Sequence, residues 1–128
     1  MGSTFATVIN CMDGRVQDPV NTWMKTETHA DFIDVIAEAG PDALMASTST
    51  ASRLILKRIL VSRDLHQSKN MALVAHHDCA GNPVSQKKHL DQLLQSAKIM
   101  ATWHLGMTIY LLWVNKNWEV ELISTIDS

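Results

Sequence analysis

Cysteine is scarce in this chain, and a long apolar run and a large excess of charge of either sign are both missing. The 128 residues contain two cysteines, which excludes a disulfide-rich secreted scaffold. The net charge of -2 offers no strongly basic surface to nucleic acid or to an anionic membrane. No apolar run approaches the ~20 residues of a membrane span, and the N-terminus lacks the pattern of a signal peptide. We therefore expect one soluble domain over residues 1–128, located in the cytoplasm, with no nucleic-acid or membrane partner.

What is present is a pair of short polar motifs, each of which follows an apolar run. Residues 5–9 precede the motif that contains Cys11, and residues 71–75 precede the motif that contains Cys79. In a reducing compartment, two cysteines are more often thiols or metal ligands than a disulfide. Two strand ends that each deliver a cysteine, with histidine beside the second, predict one composite zinc site.

The order of the predicted elements favours an α/β fold. Hydrophobic periodicity and chain breakers predict strands over residues 4–10, 31–37, 71–75, 107–114 and 118–126, and helices over 18–24, 42–66 and 85–104. Strand–helix–strand units cross over right-handed, which gives a mostly parallel sheet. We predict three layers, with a sheet of order 2-1-3-4, an antiparallel strand 5 at its edge, and flanking helices. Strands 1 and 3 are then neighbours, and a crevice opens where both cysteines lie.

The spacing of the chemically reactive residues resembles that of the β-class carbonic anhydrases. That family combines a Cys-x-Asp-x-Arg stretch with a distant His-x-x-Cys stretch. Here the two stretches are formed by Cys11, Asp13 and Arg15, and by His76 and Cys79. They occur in the family's order, each after a predicted strand. The resemblance covers roughly residues 5–126.

The resemblance implies a zinc ion bound by Cys11, His76 and Cys79. It implies that Arg15 holds Asp13 ionised, and that Asp13 orients a zinc-bound hydroxide. The hydroxide, which zinc makes available near neutral pH, would attack carbon dioxide and yield bicarbonate. A released Asp13 would be able to close the site as a fourth ligand.

The chain departs from the family pattern in three places. Residues 37–40 read Ala-Glu-Ala-Gly, whereas the family commonly has Arg-Asn-Ala-Gly, so an arginine is missing. Ala80 stands directly after the second cysteine, where family members usually have glycine. The chain is also short and lacks the N-terminal helical arm with which many members embrace a dimer partner.

Other interpretations of the proposed ligands remain open. Cys11 and Cys79 could be buried structural thiols, or they could form a disulfide, because the ends of adjacent strands lie within bridging range. His77 is an alternative ligand to His76, although the spacing favours His76.

The residues around the ligands have ordinary interpretations as well. Asp13 and Arg15 could form a simple surface ion pair. Asp78 is predicted to be a loop residue or a hydrogen-bond acceptor near the site, and Trp23 is a candidate pocket residue. The histidines outside the motif are predicted to face solvent or to end helices: His29, His66, His89 and His104.

Two classes of function follow. The first is a zinc lyase that hydrates carbon dioxide, or a hydrolase of carbonyl sulfide or carbon disulfide that uses the same site. The second is a catalytically silent zinc-binding or regulatory protein, which the missing arginine favours. The intact Asp13–Arg15 pair favours the enzyme. In either case we expect a homodimer or higher homo-oligomer, with Trp113 and Trp118 supplying an apolar surface to bury.

Overall fold

A computed structural model describes residues 3–128, which form one five-stranded sheet and four α-helices. The strands are β1 (Phe5–Cys11), β2 (Phe32–Glu38), β3 (Asn70–His76), β4 (Thr108–Val114) and β5 (Val120–Asp127). The helices are α1 (Gln17–Thr28), α2 (Pro41–Met45), α3 (Thr50–Leu65) and α4 (Gln86–Ala101), and a 3₁₀ turn spans Gly14–Val16. None of these helices has the length and hydropathy that a membrane span requires.

The sheet has the order β2-β1-β3-β4-β5, and only β5 is antiparallel. This confirms the predicted α/β topology. The pairings β1–β2 and β3–β4 each run over seven residue pairs, whereas β1–β3 spans three, from Thr7–Met71 to Ile9–Leu73. Because β1 and β3 separate after Ile9, a crevice opens between their carboxyl ends. The fold therefore creates the gap in which the predicted site lies.

Successive side chains of the sheet point to opposite faces and pack into two apolar layers. On one face, Val8 and Val74 pack with Val20 and Met24 of α1. The opposite face carries the larger cluster, which includes sheet residues and α2, α3 and α4. Its fully buried members include Ile9, Met45, Ile55, Ile59, Leu73, Leu93, Met100 and Leu111. The period of two along each central strand is what directs neighbouring residues to opposite layers.

The predicted helix over residues 42–66 is wrong in one respect, because the structure divides it into α2 and α3. The break lies in a Ser/Thr-rich stretch of low helix propensity. Ser49 caps α3, since its hydroxyl accepts the backbone N–H of Ser52 at 3.2 Å and the Ser52 hydroxyl accepts the N–H of Ser49 at 2.8 Å. This reciprocal cap starts a new helix rather than continuing the old one.

The first helix is longer than predicted. It begins at Gln17 and continues to Thr28, past the predicted end at residue 24. His29 ends it in the left-handed conformation, with φ of 60°. Burial of Val20 and Met24 anchors one face of α1, and this packing outweighs the polar composition of its last turn.

The edge strand β5 departs from a strict alternation of side chains between the two faces of the sheet. A bulge interrupts β4–β5 pairing, so that Leu112 pairs with Leu122 and Leu111 with Ser124. Ile123 is the extra residue, and it packs on the core while Leu122 is exposed. The bulge shifts which side chains face inward, a change that a strict period of two does not predict.

Candidate metal centre

Three buried side chains meet where β1 and β3 separate. Cys11 ends β1, His76 ends β3, and Cys79 lies in the turn that follows β3. One potential ligand atom from each residue lies within 4.8 Å of the other two, and the two Sγ atoms are 3.9 Å apart. The structure therefore brings together the three residues that the sequence singled out as metal ligands.

The ring of His76 is oriented as a metal ligand requires. Its Nδ1 lies 2.7 Å from the carbonyl oxygen of His77, so Nδ1–H donates and Nε2 keeps a lone pair. That Nε2 is buried and has no hydrogen-bond partner among the described residues. A buried polar atom without a partner is costly, and a metal ion bound to it would remove that cost. His77 is exposed and lines a different pocket beside Trp113, so it is not part of the cluster.

The two thiols differ in their ease of ionisation. Burial opposes ionisation of Cys11, but the nearby ring of His76 and the backbone of Gly40 and Asp13 lower its pKa to about 7. Burial and the charge of Cys11 raise the pKa of Cys79 to about 11. Both cysteines are free, so the structure does not contain the alternative disulfide. Two sulfurs and one imidazole nitrogen form a donor set that zinc favours.

Asp13 and Arg15 form a two-pronged ion pair beside this cluster. Nε of Arg15 donates to Oδ1 of Asp13 at 3.1 Å, and Nη2 donates to Oδ2 at 2.7 Å. The backbone N–H of Arg15 adds a third bond to Oδ1 at 2.9 Å. Hydrogen bonding from Arg15 lowers the pKa of Asp13 to about 2, so the carboxylate remains charged at neutral pH.

Arg15 is itself held from two further sides. Its Nη1 donates to the Asp78 carboxylate at 3.2 Å, and its Nη2 donates to the Asp78 carbonyl at 3.1 Å. The indole of Trp118 lies against the guanidinium, 4.3 Å from ring centroid to Cζ. Asp78 is thus the acceptor near the site that the sequence suggested. The stacking of Trp118 was not predicted, because it depends on the turn that follows β4.

The loop that carries Asp13 is fixed by a residue that sequence reasoning missed. Nε2 of Gln17 donates to the carbonyl of Cys11 at 2.7 Å and to that of Asp13 at 2.9 Å. No local sequence signal identifies Gln17, since it reads as an ordinary residue at a helix start. Trp23 and Trp118 line an open groove of about 550 Å³, which is lined by neither Asp13 nor any of the three candidate ligands, so the assignment of Trp23 to the pocket of the site stays a prediction.

A comparison with protein families decides the affiliation of the chain. A family model described as putative carbonic anhydrase matches residues 1–124. The chain belongs to this family. The predicted resemblance is therefore confirmed at the level of the family, and the Cys-His-Cys cluster lies within the matched residues.

Solved carbonic anhydrases share the fold of this family member. The enzyme from Streptococcus mutans aligns with a TM-score of 0.63 at 10% identity, over 93% of this chain and 81% of that one. Carbonic anhydrase from Glaciozyma antarctica gives 0.55 at 16% identity, over 93% and 81%. A tetrameric β-carbonic anhydrase from Sordaria macrospora gives 0.56 at 11% identity, over 98% and 84%. A search among curated proteins finds no match.

Two predictions about aromatic and histidine residues of this carbonic anhydrase family member are wrong. His89 does not face solvent but is buried against Asp42 and Trp113. Trp113 belongs to the core, so it cannot supply the exposed surface that we expected for assembly. The helical pattern placed His89 next to polar residues, and only the packing of α4 on α2 reveals its burial.

Proposed function

We propose that this protein is a zinc-dependent carbonic anhydrase, which converts carbon dioxide and water into bicarbonate and a proton. The observation that carries the proposal is the unpartnered Nε2 of buried His76, close to two free thiols, in a chain of the putative carbonic anhydrase family. Cys11, His76 and Cys79 would hold the zinc ion. When bound, zinc acts as a Lewis acid that brings the pKa of a coordinated water towards ~7.

Asp13 would position the attacking water. Its carboxylate is ionised and can only accept hydrogen bonds, so a water next to it must point an O–H towards Asp13 and a lone pair elsewhere. The fork of Arg15 fixes both carboxylate oxygens and leaves Asp13 little freedom to rotate. Positioning of this kind lowers the barrier because the water is already oriented when carbon dioxide arrives.

A second candidate function rests on Ala37, an exposed residue near the end of β2 where the family commonly has arginine. The carboxylate of the neighbouring Glu38 accepts from Nη1 of Arg58 at 3.0 Å, so this end of β2 presents an occupied anion rather than a free cation. The same site without that cation would suit a hydrolase of carbonyl sulfide or carbon disulfide, or a zinc-binding protein without catalysis.

We further propose a homodimer or higher homo-oligomer in the cytoplasm, built from one domain over residues 1–128. One of the similar solved structures is a tetramer. Exposed apolar side chains lie on β2 and α3 and offer a surface to bury: Phe32, Val35, Leu54, Val61 and Leu65. Two free thiols fit a reducing compartment.

Stopped-flow measurement of carbon dioxide hydration, on protein of known zinc content, tests the proposed reaction. Zinc-loaded protein should accelerate hydration, and the Cys79→Ser variant should not. Zinc-loaded protein that leaves the uncatalysed rate unchanged would contradict the carbonic anhydrase assignment. Assays with carbonyl sulfide and carbon disulfide on the same sample then decide between the hydrolase and the silent binder.

A further inference from the structure

A second polar cluster is buried in the loops next to the metal centre, and the reaction described above does not use it. Asp42 and His89 are each 1% exposed, and Asn82 is 6% exposed. Nδ1 of His89 donates to Oδ2 of Asp42 at 2.5 Å, and Nδ2 of Asn82 donates to the same oxygen at 3.1 Å. Nδ2 of Asn82 also donates to Oε1 of Gln92 at 2.7 Å. Burying a carboxylate and its partners so completely is expensive, which calls for an explanation.

The cluster joins the loop that follows β2 to the loop that follows Cys79. Asn82 lies in the loop after Cys79, and Asp42 lies at the start of α2, two residues after Gly40. The loops touch through their backbones, since a Cβ placed on Gly40 would lie 2.9 Å from the carbonyl carbon of Gly81. A Cβ placed on Gly81 would lie 2.7 Å from the carbonyl carbon of Ala39. Glycine at both positions is what permits this contact.

The same two loops bring their backbones close to the thiols. Gly40 lies near the sulfur of Cys11, and Gly81 and Asn82 lie near the sulfur of Cys79. Backbone N–H groups can support the sulfurs only if the loops keep their place relative to them. The Asn82–Asp42 bond is a direct side-chain link between the two loops.

We propose that Asp42, Asn82 and His89 are positioning residues, which lock the two glycine loops together and thereby hold their backbone N–H groups on the metal-binding sulfurs. His89 anchors the link to α4, where its ring also contacts Trp113 at 5.4 Å between centroids. The inference rests on the metal site proposed above, and it assigns this chain's own buried network to the support of that site. Groups that orient metal ligands in this way typically change metal affinity about 10- to 100-fold when removed.

The test compares zinc affinity in wild type, Asn82→Ala and Asp42→Asn, by competition with a coloured chelator. Asn82→Ala removes the link and should weaken zinc binding about 10- to 100-fold. Asp42→Asn keeps an acceptor oxygen for Asn82, so it should weaken binding less than Asn82→Ala. The control is Ser62→Ala, which disrupts a buried polar cluster with Thr7 and Asp34 at the other end of the strands. It should lower thermal stability without changing zinc affinity.

Cobalt(II) in place of zinc gives a second readout that loss of stability alone would not move. Sulfur that loses N–H hydrogen bonds gives up its electrons more easily, so the thiolate-to-cobalt charge-transfer band of Asn82→Ala should shift to longer wavelength. Zinc affinity of Asn82→Ala within about twofold of wild type, or an unshifted cobalt band, would overturn the inference and leave the metal site intact. Equal weakening by Ser62→Ala would overturn it as well. A wild type that binds no zinc would instead overturn the proposed function, and the inference with it.

Discussion

Replacing Arg15 with alanine removes two of the three hydrogen bonds that Arg15 makes to Asp13. The bonds from Nε at 3.1 Å and Nη2 at 2.7 Å are lost, while the backbone N–H of residue 15 can still donate to Oδ1. The effect does not operate through the charge of Asp13. Even at the ordinary carboxyl pKa of 3.8, fewer than about one Asp13 side chain in a thousand is protonated at pH 7.

Orientation of Asp13 is therefore what the Arg15→Ala substitution changes. We expect hydration of carbon dioxide to slow by ~10- to 1000-fold, in line with the loss of other positioned polar groups, while zinc content stays unchanged because arginine is not a ligand. Arg15→Lys is the matched control. It restores the positive charge but not the fork, so it should recover little of the rate.

Stopped-flow kinetics on wild type, Arg15→Ala and Arg15→Lys, each with its zinc content measured, test whether the Arg15 guanidinium orients Asp13. A rate for Arg15→Ala above about half that of wild type would refute the role of the fork, given the ~10-fold minimum expected from positioned groups. Full recovery in Arg15→Lys would show that charge alone is required.

Three further predictions address the pH dependence, the stacking on Arg15 and the assembly. Burial and the charge of Cys11 raise the pKa of Cys79 to about 11, so zinc must displace the Cys79 proton near neutral pH. Zinc binding should therefore release at least about one proton and weaken as pH falls. Calorimetry that detects no proton release in buffers of different ionisation enthalpy would contradict this. Trp118→Ala removes the indole 4.3 Å from Arg15 and should lower kcat with zinc retained. Trp118→Phe keeps an aromatic face and should lower kcat less. Equal rates in both variants and in wild type would show that stacking on Arg15 does not affect catalysis. Light scattering at micromolar concentration should give at least the mass of a dimer, and a monomer mass of 14.3 kDa would rule out the proposed assembly.

The strand order and the meeting of the ligands were accessible from sequence because they depend on chain-wide rules. Apolar runs before Cys11 and His76 indicate buried strands, and right-handed crossovers make those strands neighbours. Once β1 and β3 are adjacent, their carboxyl ends must meet. The parallel pairing of β1 with β3 over three residues shows the predicted adjacency.

The features that sequence reasoning missed depend on contacts between distant residues or on local caps. His89 looks like a surface residue of α4 until Asp42 of α2 is placed against it. The bulge at Ile123 changes which side chains of β5 face inward, and the sequence of that strand does not indicate the bulge. The end of the helix before Ser49 follows from a serine cap that competes with continuing the helix and is hard to distinguish in a Ser/Thr-rich stretch.

The central claim of this account is that Cys11, His76 and Cys79 bind one zinc ion. Elemental analysis of purified wild type and of matched histidine variants tests it most directly. Wild type should contain about one zinc per chain, with two sulfur ligands and one imidazole in its X-ray absorption spectrum. His76→Ala should lose the metal, while His77→Ala, at the exposed neighbouring position, should retain it. Full zinc content in His76→Ala, or zinc loss in His77→Ala alone, would contradict the account.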